Sequence, residues 1–185
     1  MAPLSEILRS LYGAYRLACF APDGLEWLRC TPGGFYRSFT AAAIIAPFFL
    51  VLLLVYGNAE PRPPVFGRYL ALEVISYVIS WCAFPLIMER LCRTMNLRDR
   101  YVRFIVAYNW TMVPQNVIYI SVAVVGYWAG FSDGTVNGLA LIILIWGFIY
   151  TGFVARTTLE VEPMVAAGIV ILDFLLSLTI EAVVN

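Results

Sequence analysis

The chain reads as an all-α membrane protein: a polytopic bundle of five spanning helices preceded by an amphipathic helix at the membrane interface. Three observations lead there. First, 62% of its 185 residues are hydrophobic and only 13% charged, against about 25% charged in a soluble domain. A water-soluble core of this size could not hide so much apolar surface, whereas lipid can cover it. Second, the apolar residues fall into five runs, separated by short stretches that hold most of the charges and turn-forming residues. Third, the arginines cluster in the alternate connections, as expected for a chain that crosses the membrane repeatedly.

Two regions follow from this division, an interfacial segment with its linker (residues 1–34) and a membrane domain (residues 35–185). In the first, Leu4, Ile7, Leu8, Leu11, Tyr15 and Ala18 recur at helical spacing, with Glu6, Arg9, Ser10 and Arg16 largely on the other face. Such a helix is too polar to span. It can lie in the headgroup region or pack on the cytoplasmic ends of the spans. Residues 21–34 carry Pro-Asp-Gly and Pro-Gly-Gly and are expected to be a turn-rich linker.

The expected spans are residues 39–56, 69–88, 102–130, 138–154 and 164–184. Pro61, Pro63 and Pro64 exclude a helix between the first two. The stretch 89–103 holds five arginines and forms the charged connector before the third span. A straight helix over 102–130 would measure roughly 42 Å, whereas the hydrocarbon core is about 30 Å thick. Because its middle carries Asn109, Thr111, Pro114, Gln115 and Asn116, the expectation is a helix broken near Pro114. Asp133-Gly134 marks a tight loop over 131–137, and Glu160 and Glu162 lie where the chain turns back over 156–163.

Ten of the twelve basic residues lie on one side of this arrangement and only Arg62 and Arg68 on the other. The positive-inside rule then places the N-terminus in the cytoplasm and the C-terminal Asn185 outside. Every basic residue is Arg, which is what a GC-rich bacterial genome produces, so the expected location is a bacterial inner membrane.

Composition also excludes functions. Net charge is zero, so nucleic acid is not an expected partner. There is no His to ligate haem or zinc or to act as a general base, and no cofactor or metal is expected. Cys19, Cys30, Cys82 and Cys92 form no CxxC pair and are read as reduced and structural. No HExxH, GxSxG or phosphate-binding glycine loop occurs, and the expectation is a non-enzymatic protein.

Two groups of residues could carry function. Asp173 falls at mid-span, where an acid costs about 2.5–3.5 kcal/mol to insert. Its apolar neighbours offset that cost, but the carboxyl must face other helices or water. The expected partners are Asn109, Thr111, Gln115 and Asn116 of the third span, or a carbonyl freed at Pro114. The arrangement is either a site for a proton, ion or ligand or interhelical glue. Glu73 and Glu181 lie nearer the span ends and are expected to reach the outer interface. The second group is Arg90, Arg93, Arg98, Arg100 and Arg103, a face for docking lipid headgroups or a protein, or simply a determinant of topology.

The layout resembles the Yip-domain family of small five-span membrane proteins. The likeness covers residues 36–184 and includes a Tyr-to-Pro stretch in the third span, Tyr108-Asn-Trp-Thr-Met-Val-Pro114. The acidic Asp-Leu…Gly-Pro segment of eukaryotic members is missing, so the resemblance implies the fold and no function. The leading functional expectation is action through partners in the lipid bilayer, as an accessory subunit, assembly factor or membrane-organising protein, within a membrane complex or as a homo-oligomer. The alternative is a small transporter or channel built around Asp173.

Overall fold

The computed structural model describes residues 2–57 and 65–184. Pro61, Arg62, Pro63, Pro64 and Asn185 lie outside the described residues. The opening apolar periodicity forms helix α1, Leu4–Ala18. The Pro-Asp-Gly segment forms a short 3-10 helix, Pro22–Trp27. Helix α2, Pro32–Ser38, starts with Pro32 in its first turn, where a missing N–H costs nothing, and Thr31 Oγ1 accepts from Gly34 N at 3.1 Å. Four longer helices follow α3 (Thr40–Gly57): α4 (Phe66–Thr94), α5 (Arg98–Trp128), α6 (Asp133–Leu159) and α7 (Pro163–Val184) make up the rest. No strand occurs among the described residues.

Four segments are long and apolar enough to cross a membrane: Pro32–Val55, Phe66–Thr94, Asp133–Leu159 and Pro163–Val183. This is the make-up of a multi-pass membrane helix bundle. Helix α5, which holds the expected third span, does not meet the same measure of length and apolarity. Its first turns carry Arg98, Asp99, Arg100 and Arg103, and its middle carries the amide-rich run.

The expected break at Pro114 is absent, since α5 runs as one helix of 31 residues. Proline removes the N–H that would bond the carbonyl of Trp110, yet the helix, packed on five other helices, continues through it. Asn116 Nδ2 donates to Met112 O at 2.9 Å and Thr111 Oγ1 to Tyr108 O at 2.8 Å. Thr111 and Asn116, two of the residues that suggested a break, thus bond the backbone of an unbroken helix.

The Arg-rich connector also differs from expectation. Helix α4 carries on through Arg90 and Arg93, and α5 begins at Arg98, so only residues 95–97 connect them. Asn96 takes the left-handed conformation (φ 57°), and Leu97 N closes the turn on Cys92 O at 2.8 Å. Ser132 caps α6, accepting from Thr135 N, so the expected loop over 131–137 is already helical from Asp133.

α5 is the central helix. It packs on α1, α2, α3, α4 and α6. Gly126 lies against Val136, Gly147 against Gln115, and Arg103 bonds Glu160, so α5 runs antiparallel along the whole length of α6. Helices α4, α5, α6 and α7 each pack on the next, and α7 returns to α4, closing a ring. α5 and α7 occupy opposite sides of that ring.

Of the two placements open for the N-terminal helix, packing against the bundle is seen. Ala14 and Leu17 are fully buried, and Tyr150 of α6 donates its hydroxyl to Ala14 O at 2.7 Å. Leu4, Leu8 and Tyr15 remain exposed on its other face.

Candidate functional site: a polar chamber between four helices

Asp173 lies on α7 and points across the ring, where Tyr108 Oη of α5 donates to its Oδ1 at 2.8 Å. The expectation that the acid faces the third span holds, but the expected partners do not. Asn109, one residue along from Tyr108, is rotated about 100° away and donates from Nδ2 to Ser38 Oγ at 2.8 Å. Thr111 and Asn116 bond their own backbone, and Gln115 Nε2 reaches Thr151 Oγ1 of α6 at 3.3 Å. A phenol is long enough to span the ring; the shorter amides bond their own helix or the elements directly beside it.

The Tyr108 ring packs on Phe84 and Phe104, and cavities lie to either side of its bond with Asp173. On one side, bounded by α4, lies a cavity of about 350 Å³ that Glu73, Ser76, Ser80, Asp173, Ser177 and Glu181 line. Phe49, Tyr77, Trp81, Phe84 and Tyr108 supply its aromatic wall. On the other side, bounded by α6, lies a cavity of about 620 Å³ whose polar lining includes Gln115, Asn116, Asn137 and Thr151. Tyr108, Met112, Asn116, Asp173 and Ser177 line both. Together the cavities form one chamber with the Tyr108–Asp173 pair as a partition.

The chamber is acidic. Glu73, Asp173 and Glu181 line its smaller half, and no arginine lines either half among the described residues. Glu73 and Glu181, expected at the outer interface, therefore border the same space as Asp173. Sequence reasoning missed Tyr108, Ser177 and the serines of α4, although a signal was present. Asp173, Ser177 and Glu181 repeat every four residues, and Glu73, Ser76 and Ser80 follow the same helical period, so each helix carries a polar stripe.

No group of His, Cys, Asp and Glu side chains able to hold a metal ion occurs among the described residues. Asn109 is fully buried; its Oδ1 has no partner among the described residues, and its amide holds the end of α2 against α5 through Ser38.

The arginine face is partly consumed by the fold. Arg100 Nη1 donates to Leu159 O at 2.6 Å, and Arg100 and Arg103 both bind the Glu160 carboxylate, at 2.8 and 3.2 Å. Glu160 itself caps α6 in the left-handed region (φ 53°). Arg93 pairs with Glu89, while Arg90 and Arg98 are exposed. The four cysteines are free, and burial pushes the Cys30 thiol up from its ordinary value, with Arg103 pulling weakly the other way. That keeps Cys30 protonated and poorly nucleophilic.

Comparison of the chain with protein-family models, curated proteins and solved structures finds no match.

Proposed function

We propose that this protein is a non-enzymatic, multi-pass membrane protein that binds a cation in the chamber around Asp173, as a small transporter or channel. The observation that carries the proposal is the Tyr108–Asp173 bond, which joins two helices where two cavities with polar linings meet. Interhelical glue needs no cavity on either side of it. A cavity lined by several acidic side chains attracts a cation, and aromatic walls favour an organic ammonium over a strongly hydrated metal ion. In this reading Tyr108, Asp173 and Ser177 stand at the centre, with Gln115 and Asn116 as wall.

In this proposal α5 is a fifth span. It runs antiparallel along α6, a helix long and apolar enough to cross, and so traverses the same thickness. Because other helices cover it, α5 can carry polar residues that a lipid-facing span could not. Five spans with the arginine bias put α1, residues 95–97 and Glu160 in the cytoplasm and the α5–α6 turn outside, in a bacterial inner membrane. The likeness to the Yip-domain layout stands as a proposal about fold alone.

The test is flux in proteoliposomes. A proton or organic-ammonium leak that disappears in Asp173→Asn supports the proposal; wild-type protein that passes neither defeats it.

A second reading, action through a protein partner or a second copy, is favoured by α4. Only 11% of its apolar window is buried, against 22–28% for the other three candidate spans. Native mass spectrometry from membranes that finds a stable larger complex would support it.

A further inference from the structure

We infer that the protein holds a phosphate group, that of an anionic lipid, in a second pocket between the start of α1 and the 3-10 helix. This pocket is separate from the acidic chamber and of opposite character. It has a volume of about 400 Å³, and Ser5, Glu6, Arg9, Trp27 and Arg29 are among the residues lining it.

Its charge is positive on balance. Glu6 is the acid in the wall, and Arg37 binds its Oε2 at 2.8 Å while Arg29 approaches the same oxygen at 3.5 Å. One carboxylate is therefore shared by two guanidinium groups, and Arg9 adds a third cation. Arg9 is held in place from two sides. Its Nη2 donates to Glu26 O at 3.0 Å, and its guanidinium carbon lies 5.8 Å from the centre of the Trp27 ring. A guanidinium fixed by stacking and one carbonyl keeps further N–H donors for a phosphate, which it can bind in a fork.

The surroundings identify the source of the phosphate. Leu4, Leu8 and Tyr12 recur every four residues on α1 and are exposed, at 71%, 60% and 43%. Ser5 and Arg9 each follow one of these residues, so the apolar stripe borders the pocket along the helix. Trp27, also partly exposed, packs edge-on to Tyr12 with ring centroids 4.6 Å apart. Acyl chains laid on that stripe put a headgroup at the pocket mouth. A free phosphate would use the pocket and leave the stripe without a role.

The experiment uses the full chain in detergent and native mass spectrometry with three probes: phosphatidylglycerol, phosphatidylcholine and inorganic phosphate. One equivalent of phosphatidylglycerol should be retained in preference to phosphatidylcholine, and Arg9→Gln should lose about tenfold in apparent affinity, the factor that about 1.4 kcal/mol represents. Arg9→Lys should recover part of it, which separates charge from folding. Binding of inorganic phosphate alone, with no lipid retained, overturns the lipid assignment. Equal retention of both lipids, or retention unchanged in Arg9→Gln, overturns the pocket.

Discussion

The packing of α1 on the 3-10 helix rests on two glycines that face each other, and adding one methyl to either should loosen it. A Cβ at Gly13 would lie 2.7 Å from Gly24 O, 3.0 Å from Trp27 Cβ and 3.1 Å from Leu28 Cδ2. A Cβ at Gly24 would lie 2.6 Å from Gly13 O and 2.9 Å from Leu17 N. Ordinary contact begins at 3.4 Å, so the two segments must separate by about 0.7 Å. Both obstacles are backbone and cannot rotate away. Overpacking of this kind costs about 1–3 kcal/mol. In Gly13→Ala, about 1 kcal/mol is returned by better helix propensity, leaving roughly 2 kcal/mol at the upper end. Gly24→Ala lies in a 3-10 helix without that gain and should cost about 3 kcal/mol. For a chain of this length each kcal/mol moves the melting temperature by about 2–4 °C. Thermal melts in detergent should thus fall by roughly 4–8 °C for Gly13→Ala and roughly 6–12 °C for Gly24→Ala. One separation relieves both clashes, so the double variant should be little worse than Gly24→Ala alone. Gly33→Ala is the control, because a Cβ there meets nothing within 4 Å. Melts of both variants within a degree of wild type, with hydrogen exchange of α1 unchanged, would refute the reasoning.

Three further outcomes follow from other contacts. Ser38→Ala removes the partner of the buried Asn109 amide and should destabilise by about 1–3 kcal/mol, read by the same melts; a loss below about 0.5 kcal/mol would mean that the amide is not held there. Glu160→Gly should be close to neutral, since relief of left-handed strain of about 1 kcal/mol offsets exposed ion pairs worth about 0.2–1 kcal/mol each; a loss above about 3 kcal/mol would show the arginine clamp to be stronger than surface pairs. In intact cells an impermeant thiol reagent should label Ser132→Cys and leave Met95→Cys unlabelled; the reverse pattern would invert the topology.

Much of the fold was legible because the apolar runs of α3, α4, α6 and α7 exceed anything a soluble core needs. α5 was harder: its Asn109, Gln115 and Asn116 imitate a break, and only the surrounding helices explain why it persists. The site was half legible. Asp173 stood out because a mid-span acid must find company, and its direction toward α5 followed. Its partner did not, because Tyr108 reads as one more membrane aromatic until the ring geometry places its hydroxyl. The span-end positions of Glu73 and Glu181 concealed their period with Ser76, Ser80 and Ser177, which only becomes a site when α4 and α7 pack together.

The central claim, that the chamber is an open cation site, is tested most directly at Ser177, which lines both cavities. In a background lacking the native cysteines, Ser177→Cys should react with a cationic thiol reagent at least about tenfold faster than with an anionic one of the same size, a difference of about 1.4 kcal/mol from the surrounding carboxylates. The preference should shrink in Glu181→Gln, and an organic ammonium should slow the reaction. A cysteine that neither reagent reaches, or one that the anion labels as fast as the cation, would contradict the account.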